Sequence, residues 1–528
     1  MEKSKTRSNG PRTEARRWSS GPFAVLRVMA VMAVMAVMAP QPAWAANYPL
    51  ELVMPRAAGT APTPGFNGIP AAHRIFRAYP GIPYNIRAVA FGGAYPYTFA
   101  LSNAPNGMTI DPRTGDIMWG SPSGASVTPT ITVTDAEGSR QSSSWTITVT
   151  TNGFVFVDSG RGSPSGTGTI SSPWRNLGDL HANGSAGQIV YFRAGTYTPD
   201  GLEKVGANGW ERAEWQESKP TTWIAYPGER VDYDAGYQSE VVTGHFIRLY
   251  GSAASPIYLD GIEFHNFRNI GLQVVSGLSD YSVYRRLKFY DMRGGINEQN
   301  PAGIMYMSNY ADPTEYAVVQ DCEFYNLNNG GGLKFYSHRK VLVEDNVFRD
   351  STQGFDLKTN VPRFEVRGNN FRNIQHRVLS GNMHLTGEDR SQAASGEWRF
   401  NNINTPGADV AVEINLDSQA SVVHVYRNTI NGRARVRSVD SQDGPFLIYE
   451  NVIVNDDPGP TGEHIEFYQV TDPTRVLVRD NLAGRPGAGI IDSNGRLTDA
   501  FARYIGIKGH MLNSSQERPM PPLGVSVE

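Results

Sequence analysis

The sequence predicts an all-β chain: a right-handed parallel β-helix preceded by a small β-sandwich. Three observations predict it. First, one short pattern recurs from Glu344 to Ile453: Asn346-Val-Phe348, Asn369-Asn-Phe371, Asn401-Asn-Ile403, Asn428-Thr-Ile430 and Asn451-Val-Ile453. Upstream, Cys322-Glu-Phe324, Leu287-Lys-Phe289 and Ile262-Glu-Phe264 keep the aromatic, and Asn481-Leu-Ala483 is a weaker last copy. Adjacent copies lie 23 to 35 residues apart, the period of a stacked solenoid with loops of drifting length. Second, residues 81–151 alternate in short runs separated by turn signals, as in a sandwich. Third, the chain has 55 glycines in 528 residues, which suits a fold with many turns.

The triplet has a physical reading. In a coil each strand pairs with the strand one coil up, at a spacing of about 4.8 Å. Identical side chains then form columns. A Phe or Ile column fills a dry interior. A buried Asn column survives only if its amides bond one another and the turn backbone. Asn also tolerates the left-handed conformation of a sharp bend.

The elements follow in chain order. Arg16 and Arg17 precede an apolar run from Phe23 to Ala39, and Ala43-Trp44-Ala45 is a small-x-small cleavage signal. Residues 1–45 therefore read as a secretory signal peptide, with the mature chain starting at Ala46. The protein is expected to be secreted, periplasmic or extracellular, with no membrane span after removal of this segment. The segment carries seven Lys/Arg and two Asp/Glu, so its loss takes the net charge from −3 to −8. That excludes bulk affinity for nucleic acid or an anionic membrane. Cys322 is the only cysteine, so no internal disulfide forms, and its place in the Asn column makes it an inert buried thiol.

Residues 46–80, rich in Pro, Gly and Ala, read as a linker or a loosely held edge. In 81–151, Tyr84-Asn-Ile-Arg-Ala, Thr130-Ile-Thr-Val-Thr and Ser143-Ser-Trp145-Thr-Ile-Thr-Val149 alternate. The phrase from Pro105 to Gly120 resembles the immunoglobulin-like, cadherin-like modules of secreted bacterial proteins. Such modules serve as spacers or carbohydrate-adhesion aids. The β-helix domain spans 152–499. Its entry, Phe154-Val-Phe-Val-Asp158, a short helical stretch and Gly187-Gln-Ile-Val-Tyr-Phe-Arg193, resembles that of secreted enzymes of the pectate-lyase-like superfamily, where a helix caps the first coil. A cap is needed because an open end exposes strand edges and an apolar bore. Trp210, Trp215 and Trp223 read as cap packing rather than a sugar-stacking loop. Gly330-Gly-Gly332 reads as a loop hinge. Residues 500–528 form a peripheral tail.

Chemistry is expected on a second strand of each coil: Ile304-Met-Tyr306, Leu333-Lys334-Phe335-Tyr336, Phe355-Asp356-Leu357-Lys358, Val378-Leu-Ser380, Val412-Glu413-Ile414-Asn415 and Arg435-Val436-Arg437. Alternation sends the apolar members inward and the others to solvent. Lys334 should stack on Asp356, and Tyr336 on Lys358. Arg377, Glu413, Asn415, Arg435 and Arg437 continue the face. Long cations at its centre suit an acidic polysaccharide, met in a fork geometry by Arg.

β-Elimination needs a group that neutralises the uronate, a base for the carbon-bound proton and an acid for the leaving oxygen. Crowded cations lower a Lys pKa and make it a base. Lys358 is the first candidate base, then Lys334, then His384. Arg377 or Arg435 would neutralise the carboxylate, and Tyr336 would donate the proton. Asp356, Glu413, Asn415, Arg435 and Arg437 are the substrate-binding candidates. The segment Asp356-Leu-Lys358-Thr-Asn360 with Asn370-Phe371 and Arg377 resembles lyases that cleave alginate or dermatan on this fold with a Lys and an Arg on neighbouring coils. Their paired acidic calcium ligands upstream of the Lys are absent here, so the cofactor stays open, Ca²⁺ included. No His has metal-ligand spacing, and no metal site is read. Two other readings stay open: a glycoside hydrolase using Asp356, Glu413, Asp417 and Glu466, and a non-catalytic polysaccharide-binding surface protein. The chain is expected to act as a monomer.

Overall fold

The computed structural model describes residues 46–199, 202, 204–205, 212–236, 246–276, 281–293, 301–308, 314–336, 338–359, 361–384, 395–415, 422–439, 441, 444–486 and 498. The expected signal segment and the tail lie outside the described residues.

Three long sheets define a parallel β-helix. Sheet I has twelve strands, from Phe154–Val157 to Val476–Arg479. Sheet II has eleven, from Gly195–Tyr197 to Leu482–Gly484. Sheet III has eleven, from Lys204–Val205 to Ile465–Tyr468. The chain visits the sheets in rotation, one strand in each per coil. Apart from the first pair of sheet III, every pairing in them is parallel.

The triplets are the bend between sheets I and II and the first residues of sheet II. Phe264, Phe289, Phe324, Phe348 and Phe371 pair rung on rung. Their rings stack: Phe348 and Phe371 lie 4.6 Å apart at 8°. Ile403, Ile430 and Ile453 continue the column.

The Asn residues form a continuous amide ladder. Nδ2 of Asn346 donates to Oδ1 of Asn369 at 3.0 Å, and the bond repeats from Asn369 to Asn401, Asn428, Asn451 and Asn481 at 2.9–3.0 Å. Each Oδ1 also accepts the backbone N–H one rung back, beginning with Cys322 at 2.8 Å. Each Nδ2 donates in addition to a sheet I carbonyl. Every hydrogen-bonding group of these buried amides is used, which removes the desolvation cost. Cys322 holds the same position. It is 1% exposed, and burial pushes its thiol well up.

The left-handed residue is not the Asn. Asp321, Asp345, Gly368, Phe400, Arg427, Glu450 and Asp480, each one residue earlier, have φ of 54–66°. The Asn pins the bend that its neighbour turns. Gly330-Gly-Gly332 is not a hinge either: Gly331 and Gly332 open strand Gly331–Tyr336, and a Cβ on Gly332 would fall 2.7 Å from the Phe348 ring.

Helix Leu177–Asn183, capped by the Asn176 side chain, closes the first coil with Leu177 and Leu180 inward. Trp215 and Trp223 pack edge to face at 4.8 Å, both donating to the Pro220 carbonyl. They are core, as expected. Trp210 lies outside the described residues.

The small sandwich is built from strands such as Tyr84–Arg87, Asp116–Trp119, Thr98–Ser102 and Thr130–Thr134, around Trp119 and Trp145. It lies directly on the outer face of sheet I. That face carries a buried column of Asp260, Arg285, Gln320, Glu344, Arg367 and Arg399. Arg87 of the sandwich reaches Asp321 at 2.7 Å and Asp345 at 2.5 Å. Arg399 donates to the Gly92 and Gly93 carbonyls and pairs with Glu365, which accepts from the Gly92 N–H. Burial pushes Glu365 up, but Arg367 and Arg399 outweigh it and hold the carboxyl at about 2.

Residues 46–80 are no free linker. Glu51–Met54 pairs with Val89–Phe91, Glu51 binds Lys340, and Asn47 donates to Glu397 and to the Tyr449 hydroxyl. A Pro- and Gly-rich composition hid this, because short apolar pieces such as Leu50–Met54 here bury against a surface that only the coils supply.

Two outcomes are expected. Asn401→Ala deletes four side-chain bonds in the ladder and lowers unfolding free energy by about 3–5 kcal/mol in a denaturant titration. Arg399→Ala leaves Glu365 and Glu397 under-compensated in a dry interface and costs about 3–5 kcal/mol, while the wild-type sandwich and β-helix melt in one calorimetric transition.

Candidate functional site

The sandwich covers sheet I short of its last strand, where Leu477 is exposed, so the open faces are those of sheets II and III. In sheet III the core residues Leu333, Phe335, Phe355, Leu357, Val412, Ile414, Ala434 and Val436 point inward, and alternation sends the residues between them outward. Register then lines up Glu214, Arg248, Gln273, Met305, Lys334, Asp356, Ser380, Glu413, Arg435 and Glu466, the side chains of Met305 and Ser380 lying outside the described residues. Lys334 does stand on Asp356. The upper members, Glu214 and Arg248, were missed by sequence reasoning; they fall in a stretch where no triplet marks the rung.

The pairing of Tyr336 with Lys358 is not observed. Phe335 opposes Leu357, but Tyr336 opposes Thr359, so Lys358 is an extra residue on its strand. On the next rung Leu357 opposes Gly381 while Thr359 opposes His384, a second insertion at the same place. Two β-bulges therefore sit one over the other beside Lys334 and Asp356, on a sheet otherwise in strict step. Bulges re-aim a side chain and occur beside active sites. They also end the period-2 alternation, which is why the sequence misplaces Tyr336. The side chains of Lys358, His384 and Asn415 lie outside the described residues. Lys334 is 5% exposed and Tyr336 half-buried.

Further along, three arginines meet two carboxylates. Glu413, 1% exposed, lies 3.6 Å from Arg377 Nε and 3.5 Å from Arg435 Nη1. Glu466 lies 2.9 Å from Arg435 Nε and 3.7 Å from Arg433 Nε. Burial opposes the Arg435 charge, but Glu466 and then Glu413 outweigh it and raise its pKa. Arg437, one strand column over, stands between Asn415 and Tyr468 in register. Arg435 is four rungs from Lys334, about 19 Å, and its strand is three rungs from that of Lys358, about 14 Å. Arg377 lies nearer, its side chain reaching Glu413 one rung on from its own strand.

The outer face of sheet II holds a different cluster. His265, Tyr290 and Tyr325 stack as parallel rings 5.0 and 4.9 Å apart, and Arg349 lies 3.9 Å over Tyr325. Ring faces are consumed by one another, which leaves only edges for a sugar. Asp232 is 2.9 Å from His265 Nε2. Among the described residues no three His, Cys, Asp or Glu converge as a metal site, and no helix is long and apolar enough to cross a membrane.

The geometry defines a parallel β-helix protein with a sandwich module docked on one face. Residues 71–150 match a family model described as "Putative Ig domain", starting before the expected boundary at 81. No curated protein matches the chain. Solved structures with a similar fold include a rhamnogalacturonan lyase, 16% identical at TM-score 0.41, over 66% of this chain and 98% of that one. The pectate lyase Pel9A is 13% identical at TM-score 0.35, over 66% and 87%. The family 28 exopolygalacturonase of Yersinia enterocolitica is 12% identical at TM-score 0.34, over 80% and 98%.

The His265–Asp232 pair gives a pH signature. Burial lowers the His265 pKa, but Asp232 outweighs it and lifts it above 6.5; burial raises Asp232, but His265 outweighs it and brings it below 3.8. The His contribution is complete below pH 6.5 and is lost as pH rises through the folded value. The Asp contribution is complete above pH 3.8 and is lost on acidification. Asp232→Asn should therefore lower the melting temperature most at about pH 5, with the gap narrowing by about pH 8 to the part owed to Arg230 and Thr196.

Proposed function

We propose that this protein is a secreted polysaccharide lyase that cleaves a uronic-acid-containing polysaccharide by β-elimination on the outer face of sheet III. The observation that carries the reading is the pair of stacked bulges at Lys358 and His384, set beside Lys334 and Asp356. The neighbouring β-helix enzymes include both lyases and a hydrolase and do not decide between them.

In this reading the polymer lies along the stacked strands of sheet III. Arg377 pairs with the uronate carboxylate and makes the adjacent carbon-bound proton acidic. Lys358, or Lys334 beside Asp356, removes that proton. The electron pair forms the ring C=C bond, the C–O bond to the next sugar breaks, and Tyr336 protonates the departing oxygen. Ca²⁺ remains a candidate that would screen the carboxylate. The protein works outside the cell as a monomer, after loss of residues 1–45.

A glycosidase needs a free acid and a second carboxylate within about 5–9.5 Å. Glu413 and Glu466 are both held by guanidinium groups, which favours the lyase.

The test is a panel of alginate, pectate, glycosaminoglycans and bacterial exopolysaccharides, with and without chelator. Ultraviolet absorbance from unsaturated uronate ends is expected; reducing ends alone would mean a hydrolase, and no product an adhesin. Lys358→Ala should cut turnover about 10²–10⁴-fold with the melting temperature unchanged. Full activity in that variant would remove Lys358 as the base.

A further inference from the structure

The last coils of sheet III hold a cation that the proposed chemistry does not use. Among the described residues, Arg377, Arg433 and Arg435 share Glu413 and Glu466. No described carboxylate reaches Arg437, and its Nε has no hydrogen-bond partner there. Its guanidinium carbon instead lies 5.4 Å from the centre of the Tyr468 ring, with that of Arg435 at 5.1 Å. Tyr468 is 42% exposed, and nothing described pairs with its strand beyond it. Among the described residues, three arginines share two glutamates and Arg437 has no carboxylate of its own.

We infer that Arg437 and Tyr468 form a distal subsite for an acidic sugar, with the guanidinium taking its carboxylate or sulfate and the tyrosine packing against its ring. An uncompensated, half-buried guanidinium already oriented by a ring has little rotamer freedom left to lose on binding, and a planar anion offers the two acceptors its fork requires. The inference rests on sheet III being the substrate face. It adds a length requirement. The Arg437 strand is three rungs from the Lys358 strand, about 14 Å. A pyranose unit is close to one rung in length, so only chains longer than about three sugars span both points.

The experiment measures binding by calorimetry on a Lys358→Ala background, so that no substrate is consumed. The probes are trimers and hexamers of galacturonate and of mannuronate, with carboxyl-reduced hexamers as neutral controls. The parent should bind at least one acidic hexamer at least tenfold more tightly than its trimer, and that gain should disappear in Arg437→Gln and shrink in Tyr468→Ser. The reduced hexamers should bind the parent and Arg437→Gln alike. Unchanged hexamer affinity in Arg437→Gln, with its near-ultraviolet circular dichroism intact, overturns the subsite but leaves the substrate face standing. Absence of any acidic-oligomer binding by the parent overturns both.

Discussion

Coils pile up in register only when the bend between sheets I and II repeats its geometry on every rung. The amide ladder enforces that. An Asn that slipped by one residue would strand its own donors and the Oδ1 that two groups on the rung below depend on. The penalty is therefore shared between neighbours, and the ladder behaves as a zip fastener for the rungs from Cys322 to Asn481. The Phe column adds dispersion and burial, but stacked rings alone are indifferent to small shifts. Directional bonds supply the specificity, and the rings supply most of the driving force.

This division explains how much could be read from the chain. Asn346, Asn369, Asn401, Asn428 and Asn451 announce the rungs because their role is local and repeated, and Lys334 over Asp356 follows by counting. The docked sandwich left no such trace. Arg87 finds Asp321 and Asp345 more than two hundred residues away, and no periodicity links them. Arg367 and Arg399 look like ordinary surface charges in sequence, since alternation places them outward. Only the covering module makes them interior. The bulges at Lys358 and His384 were hidden for a different reason: an inserted residue is invisible until the partner strand is known.

The same covering module shapes the candidate site. By occupying sheet I it leaves sheets II and III to solvent. On sheet II, Arg230, Glu263 and Lys288 engage one another, and the ring stack is closed on itself. On sheet III, among the described residues, Glu413 and Glu466 are shared by three arginines and Arg437 is left without a carboxylate. The distribution of charge between faces is thus a matter of which carboxylates are already taken, and composition alone cannot register it.

The sandwich is made before the surface it rests on. As the chain leaves the ribosome, Arg87, Tyr97 and the carbonyls of Gly92 and Gly93 face water for as long as Asp321, Glu344, Arg367 and Arg399 are unmade. These contacts can close only once the coils from Asp321 to Arg399 are in place. Contacts of such wide sequence separation are slow to close, so the seam between module and coils is expected to be the last region of the molecule to dry.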